Sequence, residues 1–161
     1  MSYPDPAYFG TGDALASYRP ADAPPELPLP GGAASYLATG ATTAGRYGLY
    51  RWDMGPEAAG AQSHFPRTFS EAFFVVFGTV RLFDGTTWLD GQSGDFVYVP
   101  EGGVHGFRNE SGQAASLLIL FAPGAPREAY FEGLVALADG RWKPSHEELQ
   151  EFMETHDNIY V

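Results

Sequence analysis

Gly94-Asp95-Phe96-Val97-Tyr98-Val99-Pro100-Glu101-Gly102-Gly103-Val104-His105-Gly106-Phe107-Arg108-Asn109 is the stretch whose reading decides the fold. It describes a strand, a tight reversal and a returning strand. Gly94 opens the first strand. Pro100 ends it, because proline has no N–H to give to a sheet ladder. Gly102 and Gly103 tolerate the backbone of a sharp turn. His105 then begins the return strand, where alternation places His105, Phe107 and Asn109 on one face.

The same punctuation extends on both sides. Short β-prone runs are predicted at Arg46 to Met54, Ala72 to Phe77, Thr79 to Phe83, Thr86 to Leu89, Asp95 to Val99, His105 to Arg108 and Ala115 to Ala122. Asp84-Gly85 between Val80–Phe83 and Thr86–Leu89 predicts a tight hairpin, since both residues accept positive φ. Gly78, Asp90-Gly91 and Ser93-Gly94 mark further turns. Phe73 to Phe77 and Ala115 to Phe121 are apolar at nearly every position, so both faces of those strands should be covered. One face would line the interior, the other meet a flanking segment or a second subunit.

The two ends read differently. Residues 1–43 are rich in Pro, Gly and Ala, and Pro24 to Gly32 is read as unable to sustain a helix or a central strand, so an extended arm is expected. Its Tyr3, Tyr8, Phe9 and Tyr18 are expected to dock, on the same chain or on a second copy. Beyond Pro123 the period becomes helical. Arg127 to Ala138 carries one apolar stripe, and Ser145-His146-Glu147-Glu148 reads as a capping box starting a second helix. His146 and His156 in this region are read as surface residues.

Composition narrows the function. The formal charge is −11, which disfavours nucleic acid and anionic membrane surfaces as partners. The chain has no cysteine, so disulfides, thiolate ligands and cysteine nucleophiles are excluded and a metal must use His, carboxylate or water. With 44% apolar and 15% aromatic residues in 161, one domain with a real core is expected. No leader-like segment and no run of about 18 apolar residues is present, and a cytoplasmic protein is expected. No glycine-rich phosphate loop of the strand–turn–helix kind and no serine triad is supported.

The spacing Gly94-x5-Pro100-x-Gly102-x2-His105-x3-Asn109 resembles the second motif of the cupin superfamily at every defined position. Upstream, His64-Phe65-Pro66-Arg67-Thr68-Phe69-Ser70-Glu71, with Gly78 following after six residues, is similar to the first cupin motif, His-x-His followed by Glu and Gly. It departs from that motif in two places. Pro66 stands where the second histidine is expected, and the leading glycine is replaced by Ala58, with Gly60 the nearest glycine. The fifteen residues between Gly78 and Gly94 are similar to the compact spacing of small microbial cupins.

The resemblance implies an all-β cupin double-stranded β-helix, a jelly-roll barrel, over residues 44–123; the N-terminal arm over 1–43 and the C-terminal helical extension over 124–161 lie outside it. It implies a divalent metal (Fe, Mn, Ni or Zn) on His64, Glu71 and His105, the fourth ligand being lost at Pro66. Two histidines and one carboxylate are the donor types that suit non-haem Fe(II) with open positions, so a dioxygenase-like metalloenzyme acting on a small apolar or aromatic substrate is one reading, with Glu71 doubling as a catalytic base. The other is a metal-free cupin working as a cyclase or isomerase through His and Glu71, or binding a ligand without catalysis. Gln62, Phe73, Tyr98 and Phe107 are candidate pocket residues, with Trp52 and Phe121 beside them. Gln62 would face inward if its strand is unbroken. A homodimer is expected, because small barrels expose edges that need covering.

Overall fold

Alternating apolar residues between turn signals build most of this chain, and the computed structural model, which describes residues 2–56 and 60–161, shows how they pair. The elements are β1 (Leu27–Leu29), β2 (Gly32–Ala38), β3 (Gly48–Met54), β4 (Ala61–Phe65), β5 (Ser70–Phe77), β6 (Thr79–Phe83), β7 (Trp88–Gln92), β8 (Phe96–Val99), β9 (His105–Arg108), β10 (Ala115–Ala122), α1 (Glu128–Ala138), α2 (His146–Thr155) and β11 (Ile159–Tyr160). They form two antiparallel sheets, one in the order β1-β2-β3-β10-β5-β8 and the other β11-β4-β9-β6-β7. Their ladders do not join into a closed ring among the described residues, so the expected barrel is an open jelly-roll sandwich.

The chain crosses from one sheet to the other at Gly78, between β5 and β6. Its φ is +76°, and a Cβ there would come within 2.6 Å of the Ala114 carbonyl oxygen, so only glycine makes this corner. The core lies between the sheets. Phe73, Val75, Leu117 and Ile119 from the larger sheet meet Val80, Leu82 and Phe107 from the smaller one. Each such side chain, once buried, contributes about 1.5–3 kcal/mol relative to exposure.

Several expectations need correction. Part of the N-terminal arm is sheet: β1 pairs with β2 and β2 with β3, so residues 27–38 extend the larger sheet rather than trail from it. Pro28 sits on the outermost strand, where its missing N–H costs the ladder nothing. The aromatic residues before this hairpin do not dock on their own chain; Tyr3, Phe9 and Tyr18 are almost wholly exposed. The Asp84-Gly85 turn spans four residues, with Phe83 opposite Trp88 and the Asp84 carboxylate accepting from the Thr86 and Thr87 N–H groups. Consequently β7 runs through Asp90-Gly91, which was expected to be a turn. Gly91 serves close packing instead, since a Cβ there would come within 2.7 Å of Leu82 Cδ1.

No flanking segment among the described residues covers the outer face of the larger sheet at β5 and β8. Phe74 opposes Phe96 and Ala72 opposes Tyr98 across β5 and β8, and Phe74, Phe96 and Tyr98 are all exposed. No helix is long and apolar enough to cross a membrane. The two helices formed where the sequence placed them. Ser145 caps α2 through a complete capping box, and α1 lays Tyr130, Phe131 and Val135 onto the open edge of the sandwich.

Candidate metal centre and cavity

The three candidate ligands come from both sheets. His64 on β4 and His105 on β9 are directly opposite each other in the smaller sheet, with ring centroids 4.4 Å apart. Glu71 reaches toward them from β5 in the facing sheet, where it pairs with Val99 and Phe121. All three are buried, at 4%, 3% and 1% exposure for His64, Glu71 and His105. Their ligand-type atoms lie within 4.8 Å of one another, near the span of donors sharing one ion at about 2.0–2.2 Å.

Backbone carbonyls orient both rings. His64 Nδ1 is 2.7 Å from the Gln62 oxygen, and His105 Nδ1 is 3.0 Å from the Gly103 oxygen. A carbonyl only accepts, so each Nδ1 carries the hydrogen and each Nε2 of a neutral ring offers a lone pair. Fixing the tautomer from behind in this way is the usual support for a metal-ligating histidine.

His105 Nε2 stands 3.3 Å from Glu71 Oε1, yet neither atom has a hydrogen-bond partner and both are buried. Two acceptor atoms this close, out of water, need a proton or a cation between them. Burial, reinforced by repulsion from His105, pushes His64 down to about 4, so its ring is neutral and free to donate a lone pair. Burial also lowers His105, but the Glu71 carboxylate beside it outweighs that and holds it above its ordinary value. The donor set therefore fits a divalent cation.

The remaining pocket expectations divide. Phe73 and Phe107 line a cavity of about 390 Å³ that opens beside His64 and Glu71, and Trp52 and Phe121 line it too. Gln62 does not. The β4–β9 register shifts between Ala61 and His64, and this bulge turns the Gln62 side chain to solvent while its carbonyl holds His64. Tyr98 is 59% exposed, because on β8 it alternates with Val97 and Val99, which take the inward positions. Pro66 is fully buried, and its carbonyl accepts from the Gly102 N–H at 2.7 Å, tying the end of β4 to the turn before His105. Ala58 lies outside the described residues.

The fold and its centre now agree with both motifs. Residues 50–121 match the family model described as a cupin domain. Residues 50–121 are a cupin domain.

Among solved structures, it is similar to a cupin 2 conserved barrel domain protein from Salinispora arenicola, at 19% identity and TM-score 0.55, covering 74% of this chain and 98% of that one. It is similar to the polyketide cyclase RemF from Streptomyces resistomycificus, at 19% identity and TM-score 0.54, covering 68% of this chain and 80% of that one. A cupin-superfamily sugar phosphate isomerase from Silicibacter pomeroyi matches at 22% identity and TM-score 0.51, over 57% of this chain and 59% of that one. No curated protein matches the sequence. At these identities the likenesses establish the cupin fold alone.

Sequence reasoning missed the part of the cavity built outside the cupin domain. Arg127, Tyr130, Phe131 and Leu134, at the start and along one face of α1, form one wall. Arg127 is 3% exposed. It donates to the His156 carbonyl and, at 3.0 Å, to Asn158 Oδ1, with its guanidinium carbon 4.1 Å from the Tyr130 ring centroid. His156 is accordingly more than a surface residue: its ring packs on Phe152 at 4.7 Å while its carbonyl anchors Arg127. The only sequence signal was an arginine at the opening of an apolar helical stripe, which by itself reads as a solvated charge.

Proposed function

We propose that this cupin-domain protein is a metal-dependent enzyme acting on a small, largely apolar or aromatic organic molecule, with His64, Glu71 and His105 as the metal ligands and dioxygenase-like chemistry as its first reading. The observation that carries this is the pair of buried, partnerless atoms His105 Nε2 and Glu71 Oε1, with both histidine rings locked in the ligating tautomer. Bound there, a divalent ion would supply a Lewis-acid centre and, as iron, a site for dioxygen, since two histidines and one carboxylate leave coordination positions open. Phe73 and Phe107 present apolar rings to the substrate side of the centre. The α1 wall excludes water from it.

A second reading is favoured by Pro66. With the fourth ligand replaced by a residue that has no donor nitrogen, the centre is one histidine short of the usual cupin set. In a metal-free protein Glu71 and His105 would share a proton across their 3.3 Å contact and move it to or from a bound carbonyl compound, the chemistry of an isomerase or cyclase. The similar structures include both a cyclase and an isomerase, so the fold does not choose between the readings.

Metal content of the wild type and of His105→Ala, purified without chelators or a metal-sequestering tag, decides. The metal reading expects near-stoichiometric Fe, Mn, Ni or Zn in the wild type, lost in the variant, followed by a search for oxygen-consuming substrates. No metal in either protein after supplementation with each ion would leave the proton-transfer reading standing.

A further inference from the structure

From the placement of Arg127 we infer that the cavity selects ligands bearing an anionic oxygen on an apolar or aromatic body, and that Arg127 is the residue that selects them. The inference names the substrate class of the site proposed above and rests on that reading for its charge balance.

Arg127 is a buried cation without a matching anion. Among the described residues no carboxylate oxygen comes within 4.0 Å of its nitrogens. Its guanidinium is surrounded instead by the rings of Phe69, Phe121, Tyr130 and Phe131, at 4.1 to 5.8 Å from their centroids. Two of its nitrogens are used on the C-terminal segment, but Nε is buried and has no acceptor. A guanidinium removed from water with an unused N–H is costly unless an acceptor arrives to complete it.

Anchoring alone does not explain the residue. A neutral donor would serve the His156 carbonyl and Asn158 Oδ1, whereas a cation at the N-terminal end of α1 is opposed by the helix dipole. Burial lowers its pKa, and Glu71 is the carboxylate that most opposes this. Once Glu71 is committed to a divalent ion, that compensation is spent. One carboxylate then faces two positive charges on the metal and one on the guanidinium. Asp53, the other carboxylate in the lining, already pairs with Arg51 at 2.9 Å. The walls are otherwise mostly apolar, and about 390 Å³ lies in the range of small-molecule sites. Such a chamber takes an apolar body through its aromatic walls and holds a carboxylate, enolate or phenolate oxygen between the centre and Arg127.

The test compares 2-naphthoate with its neutral isostere 2-naphthalenemethanol by calorimetric titration, on wild type, Arg127→Lys and Arg127→Met, with metal content and circular dichroism recorded for each. Naphthoate should bind the wild type at least about tenfold more tightly than the alcohol. The Met variant should lose that preference while its affinity for the alcohol and its metal content hold, and the Lys variant should keep part of it. Equal affinity of the wild type for both probes overturns the inference, as does an undiminished preference in a metal-loaded Met variant. If the Met variant does not fold, the wild-type pair and the Lys variant decide. Repeating the titration on chelator-treated protein separates the two claims. A preference that persists without metal and follows Arg127 upholds this inference even if no metal is ever found. A preference that vanishes on chelation and ignores residue 127 belongs to the metal and ends it.

Discussion

His64 and His105 face each other across one pair of strands, but they are held there by different kinds of structure. His105 follows a tight turn that carries the chain from β8 in the larger sheet to β9 in the smaller one. Gly103 closes the turn onto Pro100 at 2.9 Å and lends its own carbonyl to the His105 ring. The exit is fixed by Asn109, which donates to Gly55 and Gln113 and accepts from Ser111. His64 and Glu71 flank a loop clasped from far along the chain. Asp157 accepts from the Arg67 N–H, the Thr68 N–H and the Thr68 hydroxyl at 2.7 to 2.8 Å, and β11 pairs with β4 at His64 itself. One half of the centre is thus built by local turn chemistry, and the other depends on the segment that follows the cupin domain.

The sharpest way to break this comparison is to detach that segment. Phe131 fastens α1 to the sandwich, meeting Tyr50 at 5.1 Å and Trp52 at 5.0 Å in edge-to-face contacts, and is 4% exposed. Phe131→Ala should lower the unfolding free energy in urea by about 3–5 kcal/mol, the usual cost of such a cavity. A loss below about 1 kcal/mol would mean that the extension rests on the sandwich without being part of its core.

A smaller and more selective effect is expected at the clasp. Asp157→Ala leaves two backbone N–H groups and a hydroxyl without their acceptor, at a cost of about 1–3 kcal/mol. If the clasp positions His64 and Glu71, metal affinity should fall roughly 10- to 100-fold, as it does when groups supporting a ligand are removed. Asn109→Ala is the matched change on the other side. It should destabilise by a similar amount of about 1–3 kcal/mol, yet weaken metal binding less, because the Gly103 carbonyl still orients His105. Equal losses of metal affinity in both variants, measured by competition with a chromogenic chelator, would erase the distinction.

That distinction is also the line between what was legible in the sequence and what was not. The turn from Gly94 to Asn109 could be read residue by residue, because most of the demands it makes are met within a few positions. The grouping of His64, Glu71 and His105 followed from it together with the first motif. Gln62 failed because a bulge is a property of two strands in register and cannot be seen in one of them. Tyr98 failed because alternation gives two faces without saying which is inside. The hairpin of β1 and β2 was hidden by its prolines and glycines, which exclude a central strand but not an edge strand. Arg127 and Asp157 were illegible for a further reason. Their roles depend on where the C-terminal segment returns, and nothing local encodes that return.

The smallest effect expected separates the presence of that segment from its clasp. The Ser145 hydroxyl accepts from the Glu148 N–H at 3.2 Å, and the Glu148 carboxylate accepts from the Ser145 N–H at 2.7 Å, closing the start of α2. Ser145→Ala opens this box and should cost about 1 kcal/mol of stability. The frayed turn lies at the end of α2 opposite Asp157, while Met153 and Phe152 remain packed nearer the clasp. Metal affinity should therefore hold within about twofold, since no group supporting a ligand is lost. A fall comparable with that of Asp157→Ala would show that the whole of α2 acts as one lever on the loop between His64 and Glu71. The clasp would then be a property of the helix rather than of one carboxylate at its end.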